Sequence, residues 1–398
     1  MTRRAKKNSI KRIAFALALL SALIACGCSR GPVEIEIEAA ATQAPAALAT
    51  AEVKPTEVPG TDVPGTEAPG TEVPTDAPAT PAPTQPAAIE PIISVSGEFH
   101  TYSGVNVMRV DDRAYEICVY LEDEAETYAK LVGETADLLA GVTKVYDLII
   151  PTAYGVMMPD DMREKISYYV DLGESIERTY SYVPANVTTV SCYDSLMRHR
   201  GEFIYFRTDH HWTARGAYYA YVAFCEAKGI TPYPLEAHEE IPFEGFLGTL
   251  YKDSGNDPEL LPAETVLAYK PVSEGVTMTI HYADGTTARW PIVTDVTNYS
   301  AIAKYNTFAG ADNPLTVFEN PNVTDGSVLI IIKESFGNAM MAFLADHYSK
   351  IYEIDYRYYK GNVVELAKEV GATDLLFANN FMMISSRSNI GKLSMIIK

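Results

Sequence analysis

Val328-Leu329-Ile330-Ile331-Ile332-Lys333-Glu334-Ser335-Phe336-Gly337-Asn338 is the stretch whose reading decides the fold. Val328 to Ile332 is an unbroken apolar run of strand length, with no polar residue on alternate positions. A strand of that kind is buried on both faces, which is the habit of a parallel sheet sandwiched by helices. Gly337 to Tyr348 reads as the helix that follows. Ser335 therefore falls between strand and helix, at the carboxyl edge of the sheet, where open α/β sheets hold their ligands.

Outward from this stretch the same alternation recurs. Glu122 to Ala140 reads as a helix, Lys144 to Ile150 as a strand ending at Pro151-Thr152, Asn186 to Ser191 as a strand, and Thr213 to Lys228 as a helix stopped by Gly229. Lys350 to Ile354 is a strand, Val363 to Val370 a helix before Gly371, and Asp374 to Ala378 another strand. The pattern predicts a three-layer α/β/α sandwich with a mostly parallel sheet. Residues 231–327 break it with Pro-rich loops and one hairpin, Val276 to Tyr282 and Thr286 to Val293, around Ala283-Asp284-Gly285. That stretch reads as an insertion or a smaller β subdomain.

A second segment, Thr208-Asp209-His210-His211-Trp212-Thr213, opens the helix from Thr213. A serine hydroxyl becomes a nucleophile when a base takes its proton, and the usual base is an imidazole oriented by a carboxylate. Ser335, His211 and Asp209 supply those three groups, each at the edge of a regular element. Two other readings stand beside this one. Asp209, His210 and His211 could ligate a metal, although no further His or acid at ligand spacing supports it, or the two histidines could be structural partners of Trp212. Ser335 could simply cap its helix. No cofactor motif is present in the sequence.

The amino terminus carries Arg3, Arg4, Lys6, Lys7, Lys11 and Arg12 ahead of the apolar run Ile13 to Ala25, the layout of a secretory signal peptide. Leu23-Ile24-Ala25-Cys26 resembles the lipobox of bacterial lipoproteins, so Cys26 is expected to carry lipid and tether the chain to the outer face of a membrane. Cys28 has no Leu three residues before it and is the weaker alternative. From Cys26 to Pro91, and above all from Glu38, Ala, Thr, Pro and Glu dominate, with near-repeats such as Val58-Pro59-Gly60-Thr61 and Val63-Pro64-Gly65-Thr66. This composition cannot bury enough apolar surface to offset ordering, so it is expected to be a disordered, semi-extended stalk. Residues 92–398 remain as the globular part. The net charge of -20 becomes -26 without the six basic residues of the signal segment, which argues against nucleic acid or an anionic membrane surface as a partner. Cys118, Cys192 and Cys225 read as buried thiols, with one disulfide left open.

Thr208-Asp209-His210-His211-Trp212-Thr213 followed by Gly216-Ala217-Tyr218-Tyr219 resembles the DHHW family of bacterial surface proteins, and also the Asp-x-His-Trp segment of SGNH-like proteins that O-acetylate alginate. The order Ile149-Ile150-Pro151-Thr152, then Asp209 and His211, then Ser335, then Asn379-Asn380, is the SGNH cycle cut at a different point. The resemblance implies a circularly permuted SGNH-like sandwich. It also implies Ser335 as nucleophile, His211 as general base and Asp209 as the orienting carboxylate, with Asn380, or Asn379, as an oxyanion donor beside the Ser335 amide. A membrane-bound acyltransferase is the implied source of acyl groups. The chain departs from the pattern at Lys333-Glu334, where SGNH enzymes carry Gly-Asp.

Two functions of different class follow. One is a lipid-anchored surface esterase or O-acetyltransferase that acts on a cell-envelope polysaccharide through an acyl-Ser335 intermediate. The other is a non-catalytic glycan-binding or envelope-assembly protein. Trp212, His210, Tyr356 and Arg357 are the candidate substrate-binding residues, and Tyr358 and Tyr359 lie near the same strand end, although most of the 26 tyrosines are expected to pack half-buried.

Overall fold

The computed structural model describes residues 89–398. The signal segment, Cys26, Cys28 and the stalk up to residue 88 lie outside the described residues. Within them the strands are, in chain order, β1 (Phe99–Thr101), β2 (Val107–Val110), β3 (Arg113–Glu116), β4 (Lys144–Ile150), β5 (Val187–Thr189), β6 (Glu240–Phe246), β7 (Glu264–Tyr269), β8 (Thr277–His281), β9 (Thr287–Trp290), β10 (Leu315–Glu319), β11 (Val328–Lys333), β12 (Lys350–Asp355) and β13 (Asp374–Asn380). The longer helices are α1 (Glu122–Leu138), α2 (Leu172–Tyr180), α3 (Ala214–Lys228), α4 (Val363–Val370) and α5 (Arg387–Ile397).

An eight-stranded sheet runs in the order β5-β4-β13-β11-β12-β10-β8-β9. From β5 to β12 every neighbouring pair is parallel. The apolar run of the opening stretch occupies the middle of that parallel half: Leu329, Ile330, Ile331 and Ile332 are each 0% exposed. Full burial of such a side chain contributes about 1.5–3 kcal/mol, which is why this run, and not local propensity, fixes the centre of the fold.

Successive strand residues face opposite layers, and β4 shows both. Tyr146 sets its ring edge against Phe224 of α3, centroids 5.2 Å apart, whereas Asp147 accepts a hydrogen bond from Tyr128 of α1. The result is an α/β/α sandwich with α3 on one face and α1 on the other.

The hairpin around Asp284 forms as β8 and β9, its turn closed by the Asp284 carboxylate, which accepts from the amide and hydroxyl of Thr286. These strands and β10 continue the main sheet in antiparallel sense. The 231–327 stretch thus supplies three strands to the central sheet, in addition to the separate β6-β7 pair.

One expectation fails locally. Gly337 to Tyr348 is not a continuous helix: Ser335–Met340 winds as a 3-10 turn and Met341–Leu344 as a single α turn. Gly337 and Asn338 are poor helix formers, and the Glu334 carboxylate caps the tight turn by accepting from the Phe336 amide at 3.1 Å. Cys118, Cys192 and Cys225 are free and buried, so the disulfide left open by the sequence does not form among them.

Candidate active site

Asp209, His210 and His211 sit in the loop before α3, and neighbouring segments fix that loop at many points. The Glu264 carboxylate of β7 accepts from the amide of Arg207 at 2.7 Å and of Thr208 at 2.9 Å. Thr213 caps α3 by accepting from the Gly216 amide at 3.3 Å, while its own hydroxyl donates to Phe203 O at 2.7 Å. Trp212 is fully buried, and its indole N–H donates to Phe336 O at 2.9 Å. The base-bearing loop is thereby bonded to the turn that carries Ser335.

Those two loops bring Asp209, His211 and Ser335 into one row. His211 Nε2 lies 2.7 Å from Ser335 Oγ, and His211 Nδ1 lies 2.6 Å from Asp209 Oδ1. Asp209 and His211 are buried, at 2% and 6% exposure, while Ser335 is half-buried, the most exposed residue of the row.

Asp209 accepts four hydrogen bonds. His211 Nδ1 and the His211 amide share Oδ1, and the Thr249 amide, at 2.8 Å, and hydroxyl, at 3.1 Å, share Oδ2. Burial alone would raise its pKa. The neighbouring imidazoles of His210 and His211 and these hydrogen bonds outweigh burial and hold the carboxyl well below the usual carboxylate range. An ionised Asp209 can only accept, so His211 Nδ1 bears the hydrogen and the Nε2 lone pair faces Ser335 Oγ.

The Thr249 hydroxyl spends its proton on Asp209 and therefore accepts from His210 Nδ1, 2.7 Å away. Burial, then the neighbouring His211, lowers the His210 pKa, which keeps this second ring neutral. Asp209, His210 and His211 do offer ligand atoms within 4.8 Å of one another, the metal reading of the sequence. Both nitrogens of His211, both oxygens of Asp209 and Nδ1 of His210 are already engaged in the hydrogen bonds just described, so a metal would have to displace them.

Gly248 explains how Thr249 comes so close. A Cβ at that position would lie 2.2 Å from Asp209 Cβ and 2.3 Å from its Oδ2, so no larger residue fits without moving the carboxylate. Thr249, Gly248 and Tyr305 were invisible to sequence reading. Tyr305 belongs to the 3-10 helix Ala301–Thr307, stacks on His211 with centroids 3.9 Å apart and planes 11° from parallel, and has its hydroxyl 3.3 Å from Ser335 O. Nothing in a Tyr surrounded by Lys304 and Asn306 signals such a role.

The two asparagines part company because they are consecutive in β13. Asn380 pairs with Ile150 and Asn379 with Ile149, so they face opposite layers. Asn379 is fully buried on the α1 side, beside Tyr128, and is not available to an oxyanion, which corrects one of the two alternatives. Asn380 is half-buried; its Oδ1 caps the following turn by accepting from the amides of Met382 and Met383 at 2.8 and 3.2 Å, and its Nδ2 donors are uncommitted among the described residues.

The unusual pair before the serine has clear places. Lys333 is 1% exposed; its ammonium donates to Asn338 Oδ1 and lies 3.3 Å from Glu353, with Asp355 and Asp312 each at 3.9 Å. Burial would lower its pKa, but these carboxylates outweigh that and raise it. Glu334 bridges two turns, accepting from the Phe336 amide at 3.1 Å and the Asn380 amide at 3.0 Å, and burial raises its pKa.

Of the candidate substrate-binding residues, His210 and Arg357 keep partly accessible side chains, 28% and 25% exposed. Trp212 is core, as described, and Tyr356 is 2% exposed, so neither offers a face to a sugar. Trp212 is held under the serine turn against Phe336, and Tyr356 directly follows β12. Arg357 forks onto Asp355 at 2.9 and 2.6 Å and reaches Asp312 at 2.7 Å, which commits its guanidinium to neighbouring carboxylates.

An α/β/α sandwich that aligns Ser, His and Asp at the carboxyl edge of its parallel strands, delivered in the order Asp-His, Ser, Asn, defines a permuted SGNH-like protein. The chain belongs to the DHHW family, whose model (DHHW protein) matches residues 89–354. Among solved structures, a DHHW family protein from Eubacterium siraeum is 28% identical with a TM-score of 0.66, covering 73% of this chain and 95% of its own. Bacillus cereus PatB1, solved with a sulfonyl adduct, is 16% identical with a TM-score of 0.60, covering 73% of this chain and 98% of its own. The O-acetyltransferase domain of Pseudomonas putida AlgJ is 14% identical with a TM-score of 0.39, covering 73% and 96%. No curated protein matches the sequence.

Proposed function

We propose that this chain is a surface serine esterase or O-acetyltransferase that acts on a cell-envelope polysaccharide through an acyl-Ser335 intermediate. The single observation that carries the reading is the hydrogen-bonded row from Asp209 through His211 to Ser335, with distances of 2.6 and 2.7 Å. Ser335 Oγ attacks the acyl carbon as His211 Nε2 takes its proton, and Asp209 holds the resulting imidazolium in place. His211 then returns the proton to the leaving oxygen. Water as the second acceptor gives an esterase; a sugar hydroxyl gives a transferase.

The negative oxygen of the tetrahedral intermediate needs donors that are already in position. The Ser335 amide and the uncommitted Nδ2 of Asn380 are the groups we assign to it, and Glu334 ties their two turns together. A donor of this kind contributes about 3–4 kcal/mol to the transition state. Cys26 would carry the lipid anchor that holds the chain at the outer face of a bacterial membrane, and a membrane-bound acyltransferase would supply acyl groups to a transferase. Among the described residues no helix is long and apolar enough to cross a membrane.

The test is hydrolysis of p-nitrophenyl acetate by the chain and by its Ser335→Ala and His211→Ala variants, with folding monitored by circular dichroism. Loss of activity in both folded variants is expected. Equal rates in all three would exclude simple esterase action and leave a transferase that demands its native donor, or the glycan-binding function, which has itself lost the aromatic faces of Trp212 and Tyr356 to burial.

A further inference from the structure

We infer that Tyr305 is a positioning residue for the acyl-transfer step, acting on His211 through its ring face; the inference rests on the reading of Ser335 and His211 given above. The His211 imidazole lies between two rings: Tyr305 on one side, centroids 3.9 Å apart and planes 11° from parallel, and His210 on the other, 3.8 Å away and tilted by 36°. Stacking between two rings holds the plane of the imidazole, and within that plane the Nδ1 hydrogen bond to Asp209 turns Nε2 toward Ser335 Oγ.

Tyr305 is itself held fast. Phe308 and Phe206 set their edges against its ring at 4.9 and 6.3 Å. Its 3-10 helix is pinned by Lys304, whose ammonium donates to the carbonyls of Val296 and Thr297 at 3.1 Å, and by the paired hydrogen bonds between Thr294 and Thr307. The Tyr305 hydroxyl donates to Ser335 O at 3.3 Å, so one side chain touches both the base and the nucleophile's peptide.

The two contacts have different consequences. The hydroxyl steadies the Ser335 turn, which Trp212 and Glu334 also hold. The ring face has no substitute on its side of His211. When Oγ attacks and the Oγ–H proton moves to Nε2, His211 becomes a cation for the life of the tetrahedral intermediate. The electron-rich face of Tyr305 then lies parallel to that cation, and the interaction is stronger in the transition state than in the resting enzyme. The neutral His210 on the opposite side adds no competing charge. A residue from the 231–327 stretch thereby completes the site.

The experiment measures covalent labelling of Ser335 in the full chain by phenylmethanesulfonyl fluoride, followed by intact mass, as the maximal rate kinact and the half-saturating concentration KI. In that reaction an Oγ–S bond forms, the S–F bond breaks, and the hydroxyl proton passes to His211 and leaves with fluoride. Tyr305→Phe keeps the ring and loses the hydroxyl; Tyr305→Leu and Tyr305→Met lose the ring, and two such variants are made in case one does not fold. We expect Tyr305→Phe to label within about threefold of the parent and the Leu and Met variants to lose about three- to thirtyfold in kinact with KI unchanged, the range of an aromatic face on a cation. A merely structural contact would not be rescued by Phe while leaving KI alone. Leu or Met variants that label as fast as the parent, or a Phe variant as slow as they are, would overturn the inference. A parent chain that never labels at Ser335 would sink the acyl-serine reading and this inference with it, an outcome distinguishable from the other two.

Discussion

Asp209 is the residue on which the site turns, because a buried carboxylate is tolerated only when its oxygens are satisfied. Four donors surround it, and two of them come from Thr249, brought within reach by Gly248. Gly248→Ala should displace the carboxylate or the Thr249 loop. We expect hydrolytic activity to fall about 10- to 100-fold, as small misplacements of catalytic groups do, with a loss of about 1–3 kcal/mol in urea unfolding from overpacking. Unchanged rates would mean that Asp209 does not set the orientation of His211. Ser335, His211 and Asp209 were legible in the sequence because each is a chemically distinctive residue at the edge of a recognisable element. Gly248, Thr249 and Tyr305 were not, because their roles arise from close approach of distant segments and leave no local pattern. The asparagine pair was half legible: alternation along β13 separates Asn380 from Asn379, but only the register with β4 shows that Asn379 lies on the α1 side.

At the scale of elements, the parallel strands could be read from continuous apolar runs, and the observed bounds of β4 and α4 coincide with the expected ones. The short strands β1 to β3 escaped notice because they are only three or four residues long and β1 is exposed throughout, so no periodic pattern marks them. The break of the helix after Ser335 also escaped, since it depends on a carboxylate cap rather than on apolar spacing. Trp212 joins two elements by donating to Phe336 O. Trp212→Phe keeps most of the apolar volume but removes that donor, and a buried carbonyl left without it costs about 1–3 kcal/mol, readable by urea unfolding. Asp147 offers a pH test inside the sandwich. It is fully buried, bonded by Tyr128, and its pKa is pushed up to about 7 by burial. A raised carboxyl pKa means the folded state binds the extra proton, so its stability is fully present below the unfolded pKa of about 4 and is lost as pH rises through about 7. Asp147→Asn should therefore match the parent near pH 4 and exceed it at pH 8 by an amount on the order of a few kcal/mol. Parallel pH curves for the two proteins in urea titrations would contradict the argument.

At the scale of the whole molecule, the 231–327 stretch does more than decorate the sandwich. It extends the sheet through β8, β9 and β10 and sends Thr249 and Tyr305 to the residues that carry the proposed chemistry. Its contribution could not be read from composition, because its value lies in where its loops end up. The amino-terminal organisation is the part that rests on sequence alone. If Cys26 is the lipid site, Cys26→Ser expressed in a bacterial host should move the protein from the membrane fraction to the soluble fraction, as loss of an acyl anchor requires. Retention in the membrane fraction would refute lipidation at that residue.

The central claim is a covalent acyl-Ser335, and trapping it is the most direct measurement. The chain is mixed with p-nitrophenyl acetate, quenched in acid within the first turnovers and mapped by peptide mass spectrometry. The account predicts a single acetyl group on the peptide containing Ser335, absent in His211→Ala. Release of p-nitrophenol with no acetyl group at Ser335, or acetylation that persists unchanged without His211, would contradict it.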